Sequence, residues 1–207
     1  MTSEPMSVYE AIRMRRDVRA EFTGEQISEE QLTRILEAGH AAPSVGNTQP
    51  WDFVVVQKPE TLATFAEHVA GCRRDFADSL PEDRRETFDP IKVEGITESG
   101  TGIVVTYDPS RGGTHVLGRR TVDDTGVFSA VLAIQNIWLA AVAEGIGVGW
   151  VSILDPARVA EILDVPQDWT FIGHLCIGYP EEEADLPALQ RQGWERRHPS
   201  AGVVIYR

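Results

Sequence analysis

Gly145-Ile146-Gly147-Val148-Gly149 is the stretch whose reading decides the fold. Three glycines at alternate positions have the look of a phosphate loop. The dinucleotide fingerprint, however, follows a strand and opens a helix, so that the pyrophosphate meets the helix N-terminus. Here the order is reversed. Before the stretch, Val131, Ile134, Ile137, Trp138, Ala141 and Val142 recur at steps of three and four, which predicts a helix over residues 127–144. After it, Trp150-Val151-Ser152-Ile153 reads as a strand. Gly145 ends the helix, and the dinucleotide fold is excluded. The other faces of residues 127–144 are also apolar, so this helix is expected to be buried nearly all round, as the central helix of the domain or as part of a dimer interface.

Toward the C-terminus, Ser152 falls in or near a strand end, where a hydroxyl commonly bonds to its own backbone. Asp155-Pro156 starts a short helix to about Leu163, residues 170–178 form the last core strand, and residues 203–206 read as an added edge strand. Toward the N-terminus, residues 101–107 are a strand. Residues 108–120 carry Gly112 and Gly113 with Arg111, Arg119 and Arg120, and fit either a lid over an anionic ligand or a solvated loop. Residues 71–100, highly charged and broken by Pro81 and Pro90, read as broken surface helices. Pro59 sits in the first turn of a helix over residues 59–70. Residues 52–56 are almost continuously apolar, which predicts a strand in the centre of the sheet. Residues 40–51 are a small-residue loop without periodicity. It either leaves its backbone N–H groups to a ligand or makes a tight helix-to-strand connection. Ser7 with Glu10 and Ser28 with Gln31 have capping-box spacing, starting helices over residues 7–15 and from Ser28 to near Gly39. The class is α+β: four or five strands and several helices in one domain over residues 1–207.

A formal net charge of -13 argues against nucleic acid and against anionic membrane surfaces as partners. The opening residues have no basic region or apolar run, so no signal peptide is expected, and no apolar run is expected to span a membrane. Cys72 and Cys176 stand far apart and read as reduced structural thiols, which places the chain in the cytoplasm. The scattered histidines and cysteines have no metal spacing. Against the acidic background, Arg15-Arg16-Asp17-Val18-Arg19 reverses the sign of charge. Arginine forks match phosphate bidentately. The alternative is a basic helix end favoured by the macrodipole.

Three stretches together resemble the nitroreductase-like flavoprotein family: Arg15-Arg16-x-x-Arg19-x-x-Phe22, Pro43-Ser44-x-x-Asn47-x-Gln49-Pro50-Trp51 with the following strand, and Arg197-x-Pro199. The resemblance implies a nitroreductase-like fold, a central mixed sheet flanked by helices, in an intertwined homodimer with FMN at the interface. Asp17, where that family usually has Ser, is similar to the 5,6-dimethylbenzimidazole synthase branch, as are Lys92-x-Glu94-Gly95-Ile96, residues 136–145 and Gly147-Val148-Gly149-Trp150-Val151-Ser152. In that branch reduced FMN reacts with O2 and is fragmented to 5,6-dimethylbenzimidazole, the lower ligand of vitamin B12, and erythrose 4-phosphate.

By this resemblance Arg15, Arg16 and Arg19 anchor the phosphate and ribityl chain, joined by Arg197, and Val18 and Lys92 are further cofactor-binding residues. Pro43, Ser44 and Asn47 contact the flavin across the interface, and Gly149, Trp150, Val151 and Ser152 lie near its ring. Asp17 and Ser152 carry the fragmentation chemistry, as a proton-transfer group and a hydrogen-bonding hydroxyl. A salt bridge to Arg16 or Arg19 is the structural alternative for Asp17. A separate flavin reductase using NAD(P)H is an implied partner. One departure stands out: the branch usually has Met-Asp and then Tyr where this chain has Thr125-Gly126-Val127-Phe128, next to the lid of about residues 108–126. The alternatives are an FMN-dependent NAD(P)H reductase of nitroaromatics or quinones and a non-catalytic flavin-binding protein.

Overall fold

The computed structural model describes residues 6–19, 21–182, 184–199 and 204–205. In chain order the elements are α1 (Val8–Met14), α2 (Glu29–His40), β1 (Trp51–Val56), α3 (Pro59–Asp78), α4 (Glu82–Phe88), α5 (Ile96–Ser99), β2 (Gly102–Tyr107), α6 (Thr125–Ala143), β3 (Gly147–Val151), α7 (Pro156–Leu163), β4 (Thr170–Gly178) and α8 (Ala188–Arg191). The strands form one sheet in the order β1-β2-β4-β3, with all three pairings antiparallel. The edge strand expected over residues 203–206 lies outside the described residues except for Val204 and Ile205.

Alternation along the two inner strands sorts the core. Ile103, Val105 and Tyr107 of β2 and Leu175 and Ile177 of β4 pack with α2 and α6. Val104 and Cys176 face the other way, against Leu62, Phe65 and Val69 of α3, Ile96 of α5 and Val159 of α7. Period-two patterning thus places one helical layer on each face of the sheet. Ser28 caps α2 with a complete capping box, and Ser7 caps α1 by accepting from the Glu10 N–H.

Several expectations change. β1 is at the edge of the sheet, not its centre. Its run is apolar because Trp51 and Phe53 pack on one core and Val54 and Val56 on the other. An edge strand covered on both faces reads like a central one. α2 does end near Gly39, at His40, but Gly39 itself lies buried in its last turn, where a Cβ would come 2.6 Å from Ile137 Cγ1. Its role is close helix–helix approach. The helix expected over residues 59–70 runs on to Asp78, and the charged segment beyond it has its own small core of Ala77, Phe88 and Ile91. The loop after α2 contains a single 3-10 turn, Val45–Asn47.

α6 also differs from expectation. Its Ala130, Ala133, Ile134, Ile137, Trp138 and Ala141 are buried, but Phe128 is 53%, Val131 36% and Leu132 45% exposed. It is therefore buried on one side only. At 19 residues and a mean hydropathy of 1.8 it is long and apolar enough to cross a membrane by length and composition, contrary to the expected absence of such a run. Its inner face packs on the sheet as the core helix.

Candidate active site

The glycine stretch that decided the fold also builds the site. Gly145, at φ +73°, takes the left-handed turn that releases the chain from α6. Gly147 and Gly149 then lie in β3, whose edge receives the segment after α1. The Val18 N–H donates to the Val148 carbonyl at 3.1 Å, making a parallel bridge between Asp17 and Val148. A Cβ on Gly147 would come 2.9 Å from Val18 Cγ2, and one on Gly149 only 1.9 Å from the Val18 carbonyl oxygen. These glycines are the seat of the arginine loop. β3 starts at Gly147 rather than at Trp150, because its pairing with β4 already begins at Gly147. A second seat is Gly95, where a Cβ would fall 1.8 Å from the Arg19 carbonyl oxygen.

On this seat Asp17 is held at both oxygens. The Trp150 N–H donates to Oδ1 at 3.0 Å, and Arg19 Nε donates to Oδ2 at 2.9 Å. The salt bridge expected as the structural alternative is thus formed, with Arg19. Arg15 is different. Among the described residues its guanidinium has no salt bridge and donates no hydrogen bond, and it lies over the Trp138 ring at 4.8 Å. Desolvation is the main cause that lowers the Arg15 pKa; Asp17 opposes this, and the nearby charges of Arg16 and Arg197 add to it. A half-buried guanidinium with an open donor set is suited to an anion.

Arg16 departs from its expected place beside Arg15. Its side chain donates to the carbonyls of Arg13 at 2.7 Å, Arg15 at 2.8 Å and Asp185 at 2.7 Å. Those bonds fasten the loop to the segment before α8 and occupy the fork expected to meet phosphate. Lys92 is likewise committed, in an ion pair with Glu98. Its neighbour Glu94 accepts from the Ile96 N–H at 2.7 Å, and burial raises the Glu94 pKa. Val151 turns its side chain into the core, which leaves only its backbone to the site. Ser152 follows β3 directly and is exposed. Its hydroxyl has no hydrogen-bond partner among the described residues, so the expected bond to its own backbone is not made.

Pro43, Ser44 and Asn47 belong to the loop that is tied to the start of α6 through Ser129. Ser44 Oγ accepts from the Gln49 N–H at 2.9 Å, Asn47 Oδ1 accepts from Gln49 Nε2 at 2.7 Å, and the Val45 N–H donates to Ser129 Oγ at 3.0 Å. Among the described hydrogen bonds none joins this loop to the arginine loop within one chain. Within the departure at residues 125–128, Gly126 has a packing cause, since a Cβ there would fall 2.5 Å from the Tyr107 hydroxyl oxygen. Tyr107 fills the space in which an Asp side chain would have to start.

Trp138, Gly95 and Gly147 were not singled out for the site by sequence reasoning. Trp138 is at core spacing in an apolar helix, and nothing in that pattern separates an indole that also faces a cation. The glycines were visible as residues, but the need for them depends on which segment crosses them.

Residues 12–179 match the nitroreductase family. A 5,6-dimethylbenzimidazole synthase of Rhodospirillum rubrum is 42% identical over 185 residues, covering 89% of this chain and 87% of that protein. The structure of a BluB-like flavoprotein from Clostridium difficile 630 superposes with a TM-score of 0.74 at 19% identity, covering 97% of this chain and 99% of that one. Oxidized iodotyrosine deiodinase, solved bound to FMN and 3-iodo-L-tyrosine, superposes with a TM-score of 0.75 at 20% identity, covering 97% and 98%. The family match over residues 12–179 and a relative 42% identical over 89% of the chain settle the kinship: the chain belongs to the nitroreductase family.

Proposed function

We propose that this chain is a 5,6-dimethylbenzimidazole synthase that fragments reduced FMN with O2, releasing 5,6-dimethylbenzimidazole and erythrose 4-phosphate. The observation that carries this reading is 42% identity to a synthase of that name over 89% of the chain. What the geometry adds is Asp17, a carboxylate fixed at both oxygens beside an arginine that has no acid partner among the described residues.

The residues fit FMN. Arg15 has open donors, with Arg197 close enough to act on its charge state, and the glycine seat brings the backbone of residues 17–19 and 149–150 together. In this reading Arg15, Arg19 and Arg197 hold the phosphate end, and residues 149–152 line the ring. Pro43, Ser44 and Asn47 reach it from a second copy of the chain. Reduced FMN supplies the reactivity toward O2 and is itself the molecule that is broken. Asp17 takes up or returns a proton while bonds of the ribityl chain break, its direction set by the Trp150 N–H and Arg19. The exposed Ser152 hydroxyl donates to a ring heteroatom.

A homodimer is part of the proposal. α1 exposes Val8 (59%), Tyr9 (76%) and Ile12 (51%), and α6 exposes Phe128, Val131 and Leu132. Exposed apolar patches of this kind mark protein interfaces. We read residues 1–207 as one domain, with residues 108–126 as its lid, in the cytoplasm. A flavin reductase supplies the reduced FMN, and NAD(P)H acts only through it. Gly126 and Phe128 favour the second reading, an ordinary FMN-dependent NAD(P)H reductase.

The deciding experiment incubates the protein with chemically reduced FMN in air and looks for 5,6-dimethylbenzimidazole by mass. Its appearance supports the synthase. Intact FMN with turnover of NAD(P)H and a nitroaromatic or quinone supports the second reading, and intact FMN without turnover a flavin-binding protein. Asp17→Asn is expected to keep FMN binding and to lose product formation by about 100-fold or more; wild-type activity in that variant would remove Asp17 from the chemistry.

A further inference from the structure

We propose that Trp138 is the positioning residue that aims the Arg15 guanidinium at a phosphate. This rests on the reading that Arg15 meets the phosphate of FMN. Trp138 is a residue of the core helix, 7% exposed, and it touches the arginine loop twice. Its Nε1–H donates to the Arg16 carbonyl at 3.1 Å, which fixes the backbone just after Arg15. Its ring lies beneath the Arg15 guanidinium, with Cζ 4.8 Å from the ring centroid. The Trp150 ring, 6.4 Å away at 54°, packs beside it and ties the indole to the strand whose N–H holds Asp17.

The manner of contact matters. A guanidinium carries its N–H donors in its plane, while an aromatic face attracts the cation from below that plane. Trp138 therefore favours Arg15 in this place without occupying its donors. A carboxylate would hold the side chain as well but would take the fork that a phosphate needs. The nearby carboxylate, Asp17, is engaged by Arg19 and by the Trp150 N–H. The fold thus gives Arg15 a support that leaves its hydrogen-bonding edge open.

The test compares FMN with riboflavin, which lacks the phosphate, by titration of flavin fluorescence. Trp138→Leu is expected to weaken FMN about 5–10-fold and to leave riboflavin within about twofold. Trp138→Phe retains a ring face, loses the bond to the Arg16 carbonyl, and is expected to restore part of the FMN preference. Equal weakening of both flavins, or an unchanged FMN preference in both variants, overturns the proposal, since a packing role alone does not distinguish the ligands. If Trp138→Leu does not fold, Trp138→Phe decides: a preference for FMN as large as in the wild type together with full Arg15 dependence sinks the indole's role. Arg15→Ala separates the two layers of argument. If it leaves the FMN-to-riboflavin ratio unchanged, the phosphate reading has failed. If it lowers the ratio and the Trp138 variants do not, only the positioning has failed. In the Arg15→Ala background, Trp138→Leu is expected to have no further effect on the ratio.

Discussion

The loops at residues 15–19 and 108–120 both carry arginines, and they use them in opposite ways. In residues 108–120, Arg111 donates to the carbonyls of Gln49 at 3.1 Å and Trp51 at 2.7 Å and to both oxygens of Asp52 at 2.8 Å. Arg119 donates to the carbonyls of Pro109 at 3.0 Å and Arg111 at 3.1 Å. Those forks tie the loop to itself and to β1. In residues 15–19, Arg15 instead rests on an aromatic face, and Arg19 binds only Asp17 among the described residues. A buried donor costs free energy unless it finds an acceptor, so a guanidinium takes whichever oxygens the fold brings near. Where the fold brings a ring instead, the donors are left to a ligand. Arg16 makes the point within one loop, since carbonyls are near it and it behaves like Arg111.

The change expected to break this contrast most completely is Gly149→Ala. Its Cβ would stand 1.9 Å from a backbone carbonyl, which cannot rotate away, so the arginine loop must leave β3. A loss of about 3 kcal/mol in urea unfolding is expected, together with loss of measurable FMN binding. Gly113→Ala in the other loop meets nothing within 4 Å, although its φ is +72°. It is expected to cost only about 1 kcal/mol and to leave FMN binding unchanged. Equal losses at the two glycines would mean that Gly149 is not a seat.

The same contrast separates what could be read in the sequence from what could not. The helices announced themselves through Ser7 and Ser28, and the strands through their apolar runs, because those signals are local. The order of glycines relative to helix and strand at residues 145–149 excluded the dinucleotide fold for the same reason. The edge position of β1 and the continuation of α3 depend on distant partners and were misread. At the site, Asp17 and the arginines could be picked out as residues. Which arginine stays open could not, because Arg15, Arg16 and Arg111 differ only in what the folded chain places beside them.

His174 sharpens the comparison as a third case, a polar group given neither an oxygen nor a ligand. It is fully buried, edge-on to Phe65 at 4.9 Å, and neither ring nitrogen has a partner among the described residues. Burial pushes its pKa down from 6.5 to about 4. The unfolded chain gains a proton near pH 6.5, while the folded chain stays neutral there. The stability from a neutral His174 is therefore present above about pH 6.5, falls as pH drops toward 4, and levels off below. The loss over that window is expected to be about 3 kcal/mol. Unfolding free energies measured along a pH series should show this slope reduced in His174→Leu. Identical slopes in the two proteins would show that the imidazole is not held neutral by the core.

The smallest and most direct test exchanges the two loops' roles one arginine at a time. Arg15→Ala removes a cation without an acceptor among the described residues, so FMN binding should weaken by about 10–100-fold, the equivalent of about 1.5–3 kcal/mol for charge-assisted contacts. Its folding stability should hardly change. Arg111→Ala removes a fork committed to Asp52 and two carbonyls, a third exposed to solvent. Screening reduces what such a pair contributes, and the carbonyls can turn to water, so a loss of about 1 kcal/mol in stability is expected, with FMN affinity kept within about threefold. If Arg111→Ala weakens FMN as much as Arg15→Ala does, the second loop also reaches the ligand. Its internal bonds would then be a resting arrangement that the lid gives up on closing, and the contrast between the loops would lie in timing and not in construction.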